Sequence, residues 1–507
     1  MRTSTLLLWL MTLLAALFTT VPTLAAQCDG PANPATGETW QGWGNGYGNN
    51  RHVADGLGSA DLPTMQLKWA FGFPGVSSVV GNPVVHGNVI YIGVDSGEVY
   101  ALDIDSACVY WTFKADAGVR TAPALAQVTG NTLLFFGDRN ANVYAVSATT
   151  GALVWKTEVD SHPAAILTGS PQFVQLDSVD NPARLIVPVS SSEEGVAAVP
   201  TYNCCSFRGS VVSLDAMNGS KLWQTFTIQS PVAPTSDNTQ GPSGGAIWSA
   251  PTIDPGNKRL FVTTGDAYSA PAAFGTDAVM GLDLVEGRIL WINQGTSDDI
   301  WTVACMRPNA ADDCGPDQDY GSPAMLASAN GGDFLVAGQK SGWVRAFSLA
   351  GGTMLWRTAL VENTTEFGGK IIWGGAHDGN NAYFGLGSGG IAALRLSDGN
   401  KQWFTPLAAT AGRERNLGHD GPLTVSSDIV ISGGWDGILR ILDSNDGKVL
   451  WQYDTATAFA TVNGIDAKGG SMGAAGPVVV GKRLLVPSGY VGVKGGIAGN
   501  ALLLFSP

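Results

Sequence analysis

The sequence predicts an all-β fold, an eight-bladed β-propeller, on three observations. A hairpin pattern that ends in tryptophan recurs along the chain, and each chain end carries half of that pattern. The composition is also rich in turn-forming glycine, with 67 glycines and 16 tryptophans in 507 residues. Repeats of this kind are typical of propellers, in which each repeat forms one four-stranded blade.

Each copy of the pattern has a strand of alternating apolar residues, a polar turn, and a short return strand that carries tryptophan. The first copies read VYALDIDSACVYW, VYAVSATTGALVW and VVSLDAMNGSKLW. Seven complete copies end at Trp111, Trp155, Trp223, Trp291, Trp356, Trp403 and Trp451. Successive copies are spaced by roughly 45 to 70 residues, enough for one four-stranded sheet and a variable loop.

Two incomplete copies bring the number of blades to eight. QLKW, ending at Trp69, has only the second half of the pattern, and NALLLFSP at the C-terminus has only the first half. Pairing them would form an eighth blade from both chain ends and would leave no exposed sheet edge. We interpret the recurring tryptophans as packing between blades rather than as ligand contacts.

The domain boundaries follow from the ends of this pattern. Residues 1–26 read as a cleaved export signal, since Arg2 precedes the apolar run LLLWLMTLLAALF and small residues lead to a cleavage point near Ala26. Residues 27–61 would form an N-terminal extension, and residues 62–507 the propeller. No other apolar run could cross a bilayer, so we expect a soluble protein that is secreted or periplasmic.

The net charge of −14 argues against binding to nucleic acid, and no basic cluster contradicts this. Hydrophobic residues make up 45% of the chain and charged residues only 14%, which is far from the composition of disordered proteins. Any anionic ligand would need a local cationic pocket.

Six cysteines in an exported chain indicate disulfides. Cys305 and Cys314 flank a short stretch and are expected to close a loop. The set would be completed by pairing Cys204 with Cys205 and Cys28 with Cys108, although the sequence does not fix that connectivity. No Cys-x-x-Cys-His motif occurs, so no covalently attached haem is expected.

The connections before Trp223, Trp291 and Trp356 are longer than the others and are where a propeller is expected to carry its function. Acidic residues recur there, in VSSSEEG, TTGDAYS and CGPDQDYGSP. They are Glu193, Glu194, Asp266, Asp317 and Asp319. Several carboxylates that converge with carbonyl oxygens would suit a hard divalent cation such as calcium.

Seven stretches between residues 40 and 507 are too idiosyncratic to come from a generic repeat. They read GWGNGYGNNR, VSSSEEG, CCSFRGSVVSLDA, TTGDAYS, GPDQDYG, AGQKSGWVRAF and FATVNGIDAKGGSMGAAGP. In these stretches the chain resembles the quinoprotein alcohol dehydrogenases, most closely the polyvinyl alcohol dehydrogenases. The resemblance implies a propeller that holds pyrroloquinoline quinone (PQQ) and calcium (Ca²⁺) at its axis.

The resemblance also implies individual cofactor contacts. Trp248, in GGAIWSAP, would stack on one face of the planar cofactor. Arg120 in VRTAPAL and Thr168 in LTGSP fall where the family binds the cofactor's carboxylates. Lys340, in GQKSG, matches a cation beside the reactive carbonyl groups, where it would stabilise negative charge on oxygen.

For the metal, the resemblance implies that Glu193 or Glu194 supplies one ligand, and the motif's spacing slightly favours Glu193. Asp266 falls where related enzymes place a metal-ligating asparagine, and its extra charge should strengthen cation binding. Asp319 would lie next to the same ion.

The general base is harder to assign. Related enzymes place an aspartate directly after tryptophan, but this chain has Thr302 there, and threonine cannot act as a base at neutral pH. An insertion closed by Cys305 and Cys314 follows, and it realigns Asp319 with the family's aspartate. We therefore predict Asp319 as the base, with Asp317 as the second choice.

In the related enzymes a disulfide between adjacent cysteines covers the cofactor face opposite the tryptophan. Cys204 and Cys205 would have that role here, although they lie about one blade later in the chain than in the methanol-oxidising relatives. Arg208, three residues on, could supply another contact to the cofactor's carboxylates.

The sequence thus predicts a secreted dehydrogenase that oxidises secondary or polymeric alcohols to ketones and passes electrons to a separate acceptor such as a cytochrome c. The alternative is an exported propeller without catalytic activity that serves as a binding or assembly scaffold. Thr302 favours this alternative, whereas Trp248, Lys340, Asp266 and the cysteine pair argue against it.

Overall fold

Eight sheets of four or five strands form most of the regular structure in the computed structural model of this chain. The structure describes residues 26–34, 37–176, 182–229, 233–234, 240–308, 314–361, 370–492 and 495–507. The predicted export signal lies almost entirely outside these residues. The eight sheets confirm the predicted all-β, eight-bladed propeller, and we number the blades along the chain.

Each blade has four antiparallel strands, ordered from the innermost to the outermost. Blade 1 consists of Val84–His86, Val89–Gly93, Glu98–Asp103 and Val109–Lys114. Blade 2 consists of Ala124–Val128, Asn131–Gly137, Asn142–Ser147 and Leu153–Glu158. Blade 3 consists of Gln172–Val174, Arg184–Ser191, Ser210–Asp215 and Lys221–Phe226. Blade 4 consists of Thr252–Asp254, Arg259–Thr263, Ala278–Asp283 and Ile289–Gln294.

The remaining blades repeat this order. Blade 5 consists of Met325–Ala329, Gly332–Gly338, Trp343–Ser348 and Met354–Ala359. Blade 6 consists of Ala376–His377, Asn381–Gly385, Ile391–Arg395 and Lys401–Thr405. Blade 7 consists of Thr424–Ser426, Ile429–Gly433, Ile438–Asp443 and Val449–Asp454. Blade 8 consists of Val478–Val480, Arg483–Ser488, Ala501–Ser506 and Gln66–Gly72.

Shorter elements decorate the ring. Helical turns occur at Ser59–Thr64, Glu193–Val196 and Val303–Met306. Ala165–Ile166 pairs with the second strand of blade 3. Two-stranded pairs join Ala233–Pro234 to Gln240–Gly241, Ser243–Gly244 to Ala267–Ser269, and Ala458–Phe459 to Ala467–Lys468.

Blade 8 closes the ring from both chain ends, as predicted. Gln66–Gly72 near the N-terminus pairs antiparallel with Ala501–Ser506 at the C-terminus, with Gln66 opposite Ser506 and Gly72 opposite Ala501. The N-terminal strand is therefore the outermost strand of a blade whose other strands come from the end of the chain.

Strand direction alternates within a blade, so every blade has the same two ends. The turns between second and third strands, and the connections to the next blade, meet at what we call the upper end. The turns between first and second strands, and between third and fourth strands, lie at the lower end.

The repeating tryptophans dock between neighbouring blades at the lower end. Trp111 Nε1 donates a hydrogen bond to the carbonyl oxygen of Ala148 in the next blade, at 3.0 Å, and Trp155 does the same to Ala216 at 3.1 Å. Gly151, with φ of +72°, lies flat against the Trp111 ring, where a Cβ atom would come within 2.7 Å of the indole. The glycine in the repeat's turn is thus required both by backbone conformation and by this contact.

The segment predicted as an N-terminal extension packs into the ring. Thr39–Trp40 adds to blade 1, and His52–Val53 pairs in parallel with the first strand of blade 7. Between these strands, residues 47–51 accept backbone hydrogen bonds from the first strands of blades 4, 5, 6 and 7 in turn. Because the first strand of each blade lines the axis of a propeller, this segment lies within the central channel.

Arg51 anchors that segment. Its guanidinium is fully buried, donates to the carbonyl oxygens of Leu423 at 2.7 Å and Pro477 at 2.8 Å, and also donates to the carbonyl of Trp43. The same group lies against the rings of Trp40 and Trp43, 5.0 and 4.8 Å from their centroids. These contacts hold Trp43 beneath the upper end of the channel.

All six cysteines are paired. The disulfides join Cys28 to Cys108, Cys204 to Cys205, and Cys305 to Cys314. The connectivity that the sequence alone leaves open is therefore settled in favour of these three pairs.

Candidate active site

Most of the predicted site residues meet at the upper end of blades 3, 4 and 5. Trp248 lies on the connection into blade 4, and Asp266 on the turn between the second and third strands of that blade. Asp317 and Asp319 lie on the connection into blade 5, and Lys340 on the corresponding turn of blade 5. These are the connections and turns that depart most from the repeat in the sequence.

Asp319 lies at the centre of this group, with 1% of its surface exposed. Its Oδ2 accepts a hydrogen bond from Trp248 Nε1 at 3.1 Å, and its Oδ1 lies 2.6 Å from Lys340 Nζ. Burial raises the pKa of Asp319 to about 6, and the nearby Lys340 ammonium limits that rise. A carboxyl group with this pKa can accept a proton near neutral pH.

Asp317 is held differently, by two lysines. Its Oδ1 lies 2.5 Å from Lys340 Nζ, and its Oδ2 lies 2.6 Å from Lys370 Nζ. Lys370 also donates to the carbonyl oxygen of Asp317, at 3.1 Å. Both carboxylate oxygens of Asp317 are thus engaged by ammonium groups, whereas Asp319 has one ammonium and one indole N–H as partners. Lys370 is almost fully buried, and the sequence reasoning missed it.

The loop closed by Cys305 and Cys314 explains how these two aspartates reach the site. Asp299 lies before the loop, and its carboxylate accepts the amide N–H of Asp317 at 3.2 Å and of Gln318 at 2.7 Å. The chain therefore returns onto Asp299 after the insertion. Thr302 precedes the helical turn Val303–Met306 and is buried there.

Asp266 is buried beside this group and has unmatched charge. Neither of its carboxylate oxygens has a hydrogen-bond partner among the described residues, and Oδ2 lies 3.9 Å from Lys340 Nζ. One oxygen from each of Asp266, Asp317 and Asp319 falls within 4.8 Å of the others. Burial and the neighbouring Asp319 raise the pKa of Asp266 well above its usual range. A hard divalent cation would remove this penalty, so the donor set fits such an ion.

The two adjacent glutamates have different surroundings. Glu193 is fully buried, and its carboxylate accepts bonds from the Tyr202 hydroxyl at 2.8 Å and from the amides of Ser206 and Phe207 at 2.9 and 2.8 Å. The pKa of Glu194 is raised to about 7 by burial; the charge of Lys340 opposes that rise, and the charges of Asp317 and Asp319 add to it. Both oxygens of Glu193 already accept hydrogen bonds within the chain, and the choice between Glu193 and Glu194 as the metal ligand stays a prediction.

Lys340 bridges the acidic group and the aromatic side chains. Its ammonium lies 5.2 Å from the ring centroid of Trp248 and 5.9 Å from that of Trp301. Burial alone would lower the pKa of Lys340, but Asp317 and Asp319 outweigh it, and the net pKa lies well above the usual range. The side chain is thus a fixed positive charge next to the proposed base.

A cavity beside this group is lined by Arg120, Thr168 and Trp248, which the sequence predicted, and by Trp43 and Trp373, which it did not. The Arg120 guanidinium lies over the Trp373 ring, 4.5 Å from its centroid. Thr168 Oγ1 and Trp373 Nε1 are buried without a hydrogen-bond partner in the described part of the chain. A cation, two unsatisfied polar atoms and flat indoles suit a planar anionic ligand.

The cavity is also narrow. Trp373 meets Trp248 edge to face, with ring centroids 5.2 Å apart and ring planes at 85°. The residues therefore fit PQQ in their chemistry, whereas the space beside Trp248 is partly taken up by Trp373.

Among the described residues, neither Cys204, Cys205 nor Arg208 lines this cavity, although the cysteine pair and Trp248 pack against the same hydrophobic cluster. Cys205 is buried in the core between blades 2 and 3, and Arg208 stacks on Phe226 at 4.3 Å and donates to the carbonyl of Ile228 at 3.2 Å. The predicted roles of these three residues as cofactor contacts therefore stay predictions: the disulfide adjoins the segment that Glu193 fixes, and Arg208 contacts the outer strands of blade 3.

Comparison with known proteins identifies the family. The chain is 36% identical to the polyvinylalcohol dehydrogenase of Pseudomonas sp over 96% of its own length and 80% of the relative's. It is 34% identical to that of Sphingopyxis sp. strain 113P3, over 96% and 79%. The chain belongs to the polyvinyl alcohol dehydrogenase family. This confirms the predicted relationship to the PQQ-type alcohol dehydrogenases and the predicted enzyme class.

More distant similarities agree with the fold. A family model described as outer membrane protein assembly factor BamB matches residues 54–266. The europium-containing methanol dehydrogenase superposes with a TM-score of 0.70 and 16% identity, covering 94% of this chain and 98% of that one. The quinohemoprotein alcohol dehydrogenase of Comamonas testosteroni superposes with a TM-score of 0.68 and 16% identity, covering 94% and 81%. At such identities the superpositions speak only for the propeller.

Proposed function

We propose that this protein oxidises secondary or polymeric alcohols to ketones, with PQQ in the cavity next to Trp248 and a divalent cation such as calcium beside it. One observation carries the proposal above the others. A buried carboxyl group, Asp319, is held between an indole N–H and an ammonium group. Its indole partner Trp248 lines a cavity that also has an arginine and polar atoms that lack partners among the described residues.

Three residues of the cavity would bind the cofactor. Trp248 offers a rigid aromatic face, Arg120 a cation for the carboxylates, and Thr168 a buried hydroxyl that lacks a partner among the described residues. When bound, PQQ would supply the acceptor for the hydride that leaves the carbinol carbon, which carries both electrons of the oxidation.

The proton of the alcohol would be accepted by Asp319. Trp248 and Lys340 each contact one of its oxygens and so fix the orientation of the carboxylate. Lys340 also provides the positive charge that stabilises negative charge developing on oxygen during the reaction. Asp317 would position Lys340 rather than act as a base, because both its oxygens lie against lysines.

The cation would be held by Glu194, Asp266 and Asp319. The unsatisfied oxygens of Asp266 support this assignment, and Glu194 is chosen over Glu193 because both oxygens of Glu193 already accept hydrogen bonds. Glu193 would have a structural role, since its carboxylate binds the backbone that follows the cysteine pair.

We propose a secreted or periplasmic location and a separate electron acceptor, such as a cytochrome c. Three disulfides are typical of oxidising compartments and support export. In the described part of the chain, no helix has the length and apolar character needed to span a bilayer.

The test is reconstitution. The mature protein is incubated with PQQ and CaCl₂, and reduction of an artificial dye is followed with poly(vinyl alcohol), a small secondary alcohol and a small primary alcohol. We expect dye reduction with the first two, and a loss of roughly 10²- to 10⁴-fold in Asp319→Asn with PQQ binding retained. An Asp319→Asn variant as active as the wild type would refute the assignment of the base.

The scaffold alternative is supported by the family model that matches residues 54–266, since its description concerns assembly rather than catalysis. The same experiment separates the two functions. A folded wild-type protein that takes up no PQQ in the presence of calcium would favour the scaffold.

A further inference from the structure

A second group of carboxylates lies at the upper end of blades 4 and 5. It consists of Asp266, Asp277 and Asp299, which are exposed by 1%, 0% and 0%. One oxygen from each falls within 4.8 Å of the other two. Only Asp266 is shared with the group that includes Asp317 and Asp319.

Asp277 is the unusual member of this group. Neither of its carboxylate oxygens has a hydrogen-bond partner among the described residues. The neighbouring Thr276 hydroxyl donates instead to the carbonyl of Ala273, at 2.9 Å. The backbone around Asp277 is fixed, because its N–H donates to the carbonyl of Gly265 at 3.0 Å and its own carbonyl accepts from Gly295 at 2.7 Å. The side chain is thus held in place with nothing among the described residues to balance its charge.

The other two carboxylates, of Asp266 and Asp299, bring no positive charge that could balance Asp277. Asp299 binds two backbone amides, of Asp317 and Gln318, which leaves lone pairs on both oxygens. The described residues provide no ion pair to Asp277 or Asp299. Asp266 pairs with Lys340 at 3.9 Å, and that ammonium lies much closer to Asp317 and Asp319.

We propose that Asp266, Asp277 and Asp299 bind a second divalent cation, a hard oxygen-preferring ion such as calcium, separate from the ion proposed next to the cofactor. Buried carboxylates are retained in proteins when they are paired or coordinate a metal. Three carboxylates with water or carbonyl oxygens provide the oxygen-only ligand set that calcium takes. Binding at this site requires no cofactor, so it stands apart from the proposed redox function.

The second ion would join two segments of the active site. Asp266 and Asp277 lie on one turn of blade 4, and Asp299 lies on the connection into blade 5. Since Asp299 also holds the amides of Asp317 and Gln318, an ion bound to its carboxylate would fix the loop that carries the proposed base.

The proposal is tested by counting calcium ions. The mature protein is stripped with a chelator, reloaded with CaCl₂ alone, and its bound calcium is measured by equilibrium dialysis with elemental analysis. Asp277→Asn removes a carboxylate found only in the second group, and Asp319→Asn removes one found only in the first. We expect Asp277→Asn to bind one calcium fewer per chain than the wild type, and Asp319→Asn to keep the ion that Asp277→Asn loses.

Equal calcium content in wild type and Asp277→Asn would overturn the proposal. Near-ultraviolet circular dichroism shows whether the variant is folded. If it is not, crystals of the wild-type protein soaked in TbCl₃ give a second readout. An anomalous peak within coordination distance of the Asp277 carboxylate supports the site. If terbium fully occupies other sites in the crystal and no peak lies near Asp277, the proposal is refuted.

Discussion

The two ends of the propeller differ in whether their buried polar groups have hydrogen-bond partners. At the lower end, docked indoles such as Trp111 and Trp155 donate to a carbonyl of the next blade and pack against a glycine of its turn. At the upper end, Asp266 has no hydrogen-bond partner among the described residues, and Asp317 and Asp319 compete for one lysine. One end satisfies most of its polar groups and the other leaves several unsatisfied.

The difference separates stability from function. The lower end repeats the same contacts between blades and so holds the ring together. The upper end buries charge that costs stability in the absence of a ligand, which is typical of a site organised to bind one. Substitutions at the lower end should therefore change the free energy of unfolding, and substitutions at the upper end should change binding and activity.

The largest effect on stability is expected for Trp155→Ala. The substitution removes a buried indole, its hydrogen bond to Ala216 and its contact with Gly219, and it leaves a cavity between blades 2 and 3. We expect the free energy of unfolding to fall by about 3–5 kcal/mol. Chemical denaturation measures the change, with Trp155→Phe as the milder control because it keeps most of the ring.

Activity per folded molecule should remain unchanged in Trp155→Ala. A large loss of specific activity, measured below the unfolding transition, would show that the two ends are coupled and would contradict this division between stability and function.

The fold could be predicted because its information is local and repeated. A docked tryptophan and the glycine beneath it, such as Trp111 and Gly151, belong to the same motif in successive copies, so the pattern is visible without any long-range contact. The closing of the ring through Gln66–Gly72 followed from the two half copies.

The site could be predicted only in part, for a physical reason. Trp43 and Lys370 reach it through contacts distant in sequence: Arg51 holds Trp43 through a segment in the central channel, and Lys370 meets Asp317 from the next blade. Glu193 and Glu194 are adjacent, and spacing alone could not show that the Glu193 carboxylate is taken up by the amides of Ser206 and Phe207.

A smaller loss of stability is expected for Gly151→Ala. The new Cβ atom would lie 2.7 Å from the Trp111 ring, and φ at this position is +72°. The overlap costs about 1–3 kcal/mol and the backbone conformation about 1–2 kcal/mol. Gly130→Ala in the same blade is the matched control, since its φ is +83° but no atom lies within 4 Å of the new Cβ. Equal melting temperatures for the two variants would show that the contact with Trp111 is unimportant.

At the upper end, a substitution that removes a buried carboxylate should stabilise the metal-free protein instead of destabilising it. Asp266→Asn removes a buried carboxylate whose oxygens have no hydrogen-bond partner in the described part of the chain. We expect it to raise the free energy of unfolding of the metal-free protein by roughly 1–3 kcal/mol, while calcium binding and dye reduction are lost. Denaturation in the presence of a chelator measures the first effect. A destabilised metal-free variant would mean that Asp266 is satisfied by a contact within the folded chain.

The last prediction is a pH dependence of stability that arises at the upper end. Burial raises the pKa of Glu194 from 4.5 to about 7, so the folded protein binds this proton more tightly than the unfolded chain does. Stability of the metal-free protein should therefore fall as the pH rises from about 4.5 to about 7, and then level off. Melting temperatures in a chelator across this range measure the effect. Glu194→Gln should reduce this slope without abolishing it, because the pKa of Asp319 is also raised, to about 6. Calcium should reduce the slope in the wild type because it favours the ionised carboxylates. If the stability of the metal-free wild type rose with pH over this interval, burial would not be raising the pKa of the carboxyl groups at the upper end.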